Sequence, residues 1–218
     1  APSFLKQAEF YRGPEKFQTA VRAFLKKHEY ANAGWEDLVK EFESASGQKL
    51  TSWAEGWVKT RGAPIVRSRF EHYTNGPDVI RLEQYSSPST GWQFKTHVLW
   101  RKENGESKVL TAEFTEAGTV YLPEKNNSPF SFVFPNYQDY GYGIFLLDDK
   151  SRDYVLKNIQ NEKDDFLRTM MWGSLWDSVR EAELDPKDYV ELVINVQSAN
   201  AQSASFSLSS PRRRRHAK

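Results

Sequence analysis

A chain of 218 residues, 39% hydrophobic and 14% aromatic, can bury a sizeable core and is not a disordered polymer. Its 30 Lys and Arg against 29 Asp and Glu leave a net charge of +1, so no whole-protein field draws it to nucleic acid or a membrane surface. Cysteine is absent, which excludes disulfides, thiolate metal sites and cysteine nucleophiles, and no apolar run reaches the ~20 residues that span a bilayer.

The first sixty residues carry helical periodicity. Phe17, Ala20, Val21, Phe24, Leu25 and His28 recur at i, i+3, i+4, i+7, i+8 and i+11, one continuous apolar face. Pro14 suits a first helical turn, where its missing N–H costs nothing. A second stripe, Trp35, Leu38, Val39 and Phe42, is entered through Gly34 as N-cap with Asp37 in the first turn, and Gly47 closes it in a left-handed C′ position. A third comprises Leu50, Trp53, Ala54, Trp57 and Val58, with Ser52 and Glu55 at capping-box spacing, and ends at Gly62 and Pro64.

From Pro64 the apolar period changes from 3.6 to 2. Trp92, Phe94, Thr96, Val98 and Trp100 alternate with Gln93, Lys95, His97 and Arg101, a half-buried strand. Asn104-Gly105 leads from it into Lys108–Phe114 as a hairpin turn, and Asn75-Gly76 plays the same part between the strand near Phe70 and Val79–Tyr85. Further short runs at Thr119–Leu122, Phe130–Phe134 and Tyr142–Leu147 bring the count to about seven strands, the pattern of a small antiparallel sandwich.

Helical spacing returns near Ser151. Tyr154, Val155 and Ile159 form a short stripe, and a longer apolar stretch runs from Phe166 to Val179 through Met170, Trp172, Leu175 and Trp176. Asp185-Pro186 makes an N-cap and N1 pair for a helix burying Tyr189, Leu192, Val193 and Val196. After Val196 the periodicity stops, and a tail of Ser, Ala, Gln and Asn ending in Arg212–Arg215 is expected to be disordered. The predicted fold class is therefore α+β multidomain: a helical segment 1–62, an antiparallel β-sandwich 63–147, helices 148–196 and a tail 197–218.

The ordered succession of residues 13–66, G-P-E-K-F-Q-T-A-V-R-A-F-L-K-K-H-E-Y-A-N-A-G-W-E-D-L to W-A-E-G-W-V-K-T-R-G-A-P-I-V, resembles the aminopeptidase N family of zinc peptidases where its catalytic domain ends. Ile80 to Gln84 is similar to the family's sandwich strand ending in glutamine, and Pro135 to Asp148 to the segment leaving its β-domain. Arg168 to Leu184 resembles the first helices of its C-terminal helical domain. The resemblance covers roughly residues 1–196. It departs from the family after Val196, where further helices are expected and a Ser-rich, Arg-ending tail follows instead.

The family's zinc motif, H-E-x-x-H with a distant Glu, does not occur in this chain, and the resemblance places it upstream of Ala1. A zinc hydrolase needs two imidazoles one helical turn apart, a carboxylate and an open position for water. His28-Glu29 begins that pattern, but Asn32 stands where the second imidazole is required, and His28 reads as a helix C-terminal residue. His72 and His97 fall on predicted strands without a companion at ligand spacing, and His216 lies in the tail. The G-x-M-E-N type motif that recognises a substrate amino terminus is absent, and the family's transition-state tyrosine falls before Ala1, on the other side of the first helix from Tyr11. No catalytic, cofactor-binding or metal residue is assigned, and the chain is expected to hold no cofactor, with zinc belonging to the parent enzyme.

Asp148-Asp149 and Asp164-Asp165 read as helix-start carboxylates rather than acid–base pairs or calcium ligands. Trp53, Trp57, Trp172 and Trp176, spaced i, i+4, read as core packing. No phosphate-binding glycine loop or serine-hydrolase elbow is present, and Arg212–Arg215 is too short a block to argue for nucleic acid.

Two readings of function follow. One is the non-catalytic C-terminal portion of a zinc aminopeptidase that removes N-terminal residues from peptides. In it, this portion positions domains and walls the substrate cavity, partnered by the upstream peptidase domain and, through the parent, by peptides. The alternative is a free-standing protein- or peptide-interaction module. Neither involves nucleic acid or a membrane, and the compartment is open between cytoplasmic and exported. A severed part should retain an apolar face on residues 14–60, and a homodimer through those helices is the expected consequence.

Overall fold

The computed structural model describes residues 2–71, 78–85, 92–115, 118–124 and 129–209. Four helices open the chain: α1 (Pro2–Arg12), α2 (Pro14–Lys27), α3 (Trp35–Ser46) and α4 (Thr51–Lys59). Pro14 is the first residue of α2 and His28 its C-cap, as the sequence predicts. Gly34 caps α3, its N–H donating to Asp37 at 3.1 Å, and Gly47 ends that helix in the left-handed region at φ 70°. The start of α4 differs from expectation. Its N-cap is Leu50, and Ser52 sits inside the first turn. The Glu43 carboxylate, reaching over from α3, accepts the N–H groups of Leu50 (2.6 Å) and Thr51 (2.9 Å) and the Thr51 hydroxyl (2.9 Å). A non-local acceptor has replaced the local capping box.

Ala8, Ala20, Val39, Phe42, Leu50, Trp53 and Ala54 form the small core of these helices, with Phe17 stacked on Phe42 at 5.4 Å. Leu25, placed by its spacing in the buried stripe, is instead 63% exposed, and Val58 is exposed on α4. The helices therefore keep some uncovered apolar surface.

The middle is a two-layer sandwich. One sheet runs in the order β5 (Gly118–Glu124), β2 (Asp78–Tyr85), β1 (Ile65–Glu71), β7 (Ile144–Leu146). The other runs β4 (Ser107–Phe114), β3 (Phe94–Lys102), β6 (Phe130–Tyr137). Alternation places Val66, Ile80, Leu82, Phe94, Val98, Trp100, Ala112, Phe114, Phe130 and Val133 in one core between the layers. Pro123 and Pro135 fall on β5 and β6, the edge strands where a missing N–H is tolerated. The Asn75-Gly76 turn lies outside the described residues.

The pairings are antiparallel with one correction: β7 runs parallel to β1, Ile65 opposite Ile144 through Arg67 opposite Leu146. The five intervening strands supply the long connection that a parallel pair needs, and β7 closes an edge of β1 that would otherwise stay unpaired. The Ile144 N–H donates to Pro64 O at 2.9 Å to start the pairing.

The outer face of the β4–β3–β6 sheet is covered by α5 (Asp149–Asn158), a 3₁₀ turn (Ile159–Asn161), α6 (Asp165–Arg180) and α7 (Pro186–Ser209). Leu99, Phe132 and Phe134 from the sheet meet Val155, Ile159, Leu167, Met171 and Leu175. The buried stripe of α6 is thus Leu167, Met171, Ser174, Leu175 and Ser178, with Met170 and Trp172 packed partly buried against the same core as expected. Trp176 is a correction: it is 50% exposed, its ring 5.6 Å from Tyr189 of α7. α7 continues to Ser209, past the predicted end at Val196. No Gly or Pro interrupts 197–209, so once a packed helix exists the Ala, Gln and Ser residues there extend it at little cost. Arg212–Arg215 lies outside the described residues.

Candidate functional site

The histidines do not converge. His28 closes α2 with its ring 5.1 Å from Phe24, and its Nε2 is buried without a partner. His97, on β3, lies between Phe10 of α1 (4.7 Å between ring centroids) and Tyr140 (5.1 Å), with Nδ1 3.2 Å from the Thr111 hydroxyl. Burial pushes its pKa below the ordinary histidine value. His72 and His216 lie outside the described residues. Among the described residues there is no group of three or more His, Asp or Glu that could hold a metal.

The paired carboxylates act on their own helices. Asp148 accepts the Ser151 N–H (2.9 Å) and hydroxyl (2.8 Å) at the start of α5, in surroundings whose burial raises its pKa. Asp164 accepts the N–H groups of Phe166 (3.0 Å) and Leu167 (3.1 Å) at the start of α6. Asp149 and Asp165 pair with Arg152 and Arg168 one turn along.

The chemistry-bearing side chains gather instead where the N-terminal helices meet the sandwich. β6 ends at Tyr137, leaving Lys95 of β3 without a strand partner on that side. Gln7 of α1, fully buried, takes the vacant place. Its Nε2 donates to Lys95 O at 2.8 Å and to Tyr140 O, and its Oε1 accepts the Lys95 N–H at 3.0 Å. The carboxamide is chemically a peptide unit, so it extends the ladder by one step. Gln84 of β2 repeats the device on Trp92, donating to its carbonyl at 2.9 Å and accepting its N–H. Between these two, the Gln93 carbonyl accepts both the Trp53 and the Trp57 indole N–H at 3.0 Å. Residues 92–95 are therefore clamped by α1, α4 and β2 together.

The end of β6 and the turn that follows it complete the junction. Asn136, Gln138 and Asp139 all adopt left-handed backbone, at φ 61°, 65° and 56°. Asn136 supports this, donating to Gly141 O at 2.9 Å while its Oδ1 accepts the Thr96 hydroxyl at 3.0 Å. Lys6 donates to Gln138 O at 2.9 Å. Such conformations persist only where surrounding contacts over-determine them. On the other flank the Tyr11 hydroxyl donates to Glu113 at 2.9 Å, and the Lys95 ammonium binds the second Glu113 oxygen at 3.1 Å. Burial, reinforced by Glu113, pushes the Tyr11 pKa up to about 12.

Sequence reasoning assigned roles to none of Gln7, Lys95, Glu113, Asn136 and Tyr140. One signal was available: Phe4, Gln7, Ala8 and Tyr11 recur at i, i+3, i+4 and i+7, so an amide stands in an apolar stripe. A polar group there requires a buried partner.

Comparison with known proteins agrees with this architecture. No family model matches the chain. Aminopeptidase N of Streptomyces lividans is 26% identical over 207 residues, 88% of this chain and 24% of that protein. Glutamyl aminopeptidase of Sus scrofa is 24% identical over 75% of this chain and 18% of its own length. Tricorn protease-interacting factor F2 of Thermoplasma acidophilum is 36% identical over 59% of this chain and 16% of its own. The crystal structure of Legionella pneumophila aminopeptidase A in complex with aspartic acid superposes over 88% of this chain and 23% of its own, with TM-score 0.56 at 15% identity, a likeness of fold. The chain spans a quarter or less of the length of these proteins. Relatives named as aminopeptidases cover most of it and bear out the resemblance to the aminopeptidase N family.

Proposed function

We propose that this chain, a segment of the aminopeptidase N family, is the non-catalytic portion of a zinc aminopeptidase that removes N-terminal residues from peptides. Its units are residues 1–62, the end of the peptidase domain; 63–147, the sandwich; and 148–196, the start of a helical domain. The observation that supports the reading most is the clamp on residues 92–95. Gln7 is held by the backbone of β3, and Trp53 and Trp57 by the residue that leads into it, so the N-terminal helices are carried at a fixed angle. Rigid support of this kind holds reacting groups in place when they are supplied by a neighbouring domain. The zinc and the groups that activate its water are assigned to the upstream peptidase domain, and no step of the reaction is routed through this chain. Its part is to position that domain and to wall the peptide cavity beside it.

The test is a chimaera in which this chain replaces the matched 207 residues of Streptomyces lividans aminopeptidase N. The expected result is a folded, zinc-loaded protein that hydrolyses aminoacyl substrates, with Gln7→Leu lowering activity and thermal stability together. A well-folded chimaera that is inert, alongside an isolated chain that stays a stable monomer, would favour the free-standing interaction module.

A further inference from the structure

The N-terminal helices and the sandwich meet around one imidazole. His97 projects from β3, and Phe10 of α1 and Tyr140, just past β6, close over it. The Phe10 and Tyr140 rings are themselves stacked at 4.3 Å, so strand, helix and turn share one three-way contact. Lys6 of α1 ties the turn down as well, donating to Gln138 O at 2.9 Å and lying 5.1 Å above the Tyr140 ring. The charged groups around the imidazole are committed to one another. On α1, Lys6 lies 3.8 Å from Asp139, Tyr11 donates to Glu113, and Glu9 is exposed. Lys95 of β3 pairs with Glu113 of β4 at 3.1 Å. Tyr137 of β6, opposite His97 in the ladder, directs its hydroxyl to Asp164 at 3.4 Å. Among the described residues no carboxylate pairs with His97, and its Nδ1 faces the Thr111 hydroxyl at 3.2 Å. A neutral ring is accommodated there, whereas an imidazolium would be enclosed by aromatic walls without a counter-ion of its own. Cation–π attraction to the two rings acts the other way. Burial holds the pKa below the ordinary histidine value, against a smaller opposing hydrogen bond with the Leu110 backbone.

We propose that His97 is a proton-sensitive latch: α1 stays docked on the sandwich while the imidazole is neutral, and mild acidification loosens that junction. Protonation charges a ring that Phe10 and Tyr140 enclose, and separation of those two rings is what lets water reach it. Gln7 of α1 is bound to Lys95, two residues along β3, so the same movement weakens the clamp. It also releases the Lys6 contact that restrains the left-handed turn at Gln138 and Asp139. Gly13, at φ 84° between α1 and α2, is the backbone joint about which α1 moves. The sign follows from linkage. A docked-state pKa below the ordinary value means that the docked state binds fewer protons. The stabilisation is therefore fully present above about pH 6.5 and is lost as pH falls from there to the docked-state pKa. Within that window the docking constant falls by at most about tenfold per pH unit. The inference needs only this chain and stands apart from the aminopeptidase reading.

The test follows the full chain by NMR between about pH 5 and 8, the range in which an ordinary histidine changes its charge. The carbon-bound ring protons of His97 give its titration. Hydrogen-exchange protection of the Lys95 amide, which donates to Gln7, reports docking. The expected result is a His97 midpoint below the ordinary value. Lys95 protection, corrected for intrinsic exchange, should fall in step with it by about threefold or more per pH unit. His97→Phe keeps an aromatic ring against Phe10 and Tyr140 without the charge, and is expected to make that protection independent of pH. His28→Gln, at the end of α2, is expected to leave the response intact. A His97 midpoint at or above the ordinary value would overturn the proposal. So would Lys95 protection that ignores the His97 titration, or that keeps its pH dependence in His97→Phe. The midpoint and the protection are both read from the parent chain, so they decide the matter even if the variant fails to fold.

Discussion

Replacing Gln7 by Leu keeps the size of a fully buried side chain and removes only its amide chemistry. The variant loses two donated bonds and one accepted bond, leaving the Lys95 N–H and the Lys95 and Tyr140 carbonyls without their partner. Each such bond contributes about 1 kcal/mol net, and a stranded buried group costs about 1–3 kcal/mol. Extra apolar burial offsets part of this, so a loss of about 3 kcal/mol is expected from a domain stability of about 5–15 kcal/mol. Equilibrium urea unfolding should show it as a midpoint lowered by about 1–2 M, given a slope of about 2 kcal/mol per M. Gln7→Glu adds a sharper check. Its carboxylate would still accept the Lys95 N–H but would face two carbonyl oxygens while buried, which raises its pKa in the folded state. A folded pKa above the unfolded one means that protonation favours folding. The deficit of Gln7→Glu is therefore largest above the folded pKa and shrinks as pH falls toward the unfolded value near 4.3. A Gln7→Leu chain within about 0.5 kcal/mol of the parent, the usual range for an uninvolved surface site, would refute the clamp, as would a pH-independent Gln7→Glu deficit.

Further predictions rest on other contacts. Backbone hydrogen bonds from Leu50, then the Thr51 hydroxyl, hold the Glu43 carboxyl below its usual pKa of 4.5, so its stabilisation is present above that value and is lost as pH falls through the folded pKa. Glu43→Ala should cost about 1 kcal/mol at pH 7, as loss of a helix cap does, with the difference from the parent vanishing in acid denaturation series. Gly143→Ala would put a Cβ 2.5 Å from Pro64 O, at the start of the parallel pairing. A destabilisation of about 2 kcal/mol is expected, and an unchanged melting temperature would show that β7 is not anchored there. Elemental analysis of the purified chain after dialysis is expected to find well under one zinc per chain, and one tightly held, chelator-sensitive zinc supporting hydrolysis would contradict the assignment of the metal to another domain.

Local physics was legible in the sequence. Apolar period changes near Pro64 and Ser151 marked the passages between helix and strand, and Pro14, Gly34, Gly47 and Pro186 stand at the helix ends they announced. Such features depend on residues within four positions of one another, which is the range that periodicity and capping report. The tertiary structure decided what depends on distant partners. Gln7 finds its acceptors 88 and 133 positions away, Glu43 displaces a local capping box at Leu50, and β7 chooses a parallel edge only because β1 has one open. Trp176 belongs to an apolar run, yet the stripe beginning at Leu167 and Met171 faces the sheet and leaves that indole half in solvent. Helical spacing shows that a stripe exists. Which of two neighbouring stripes is buried depends on the surface it docks against, and that surface is built by residues far away in the chain.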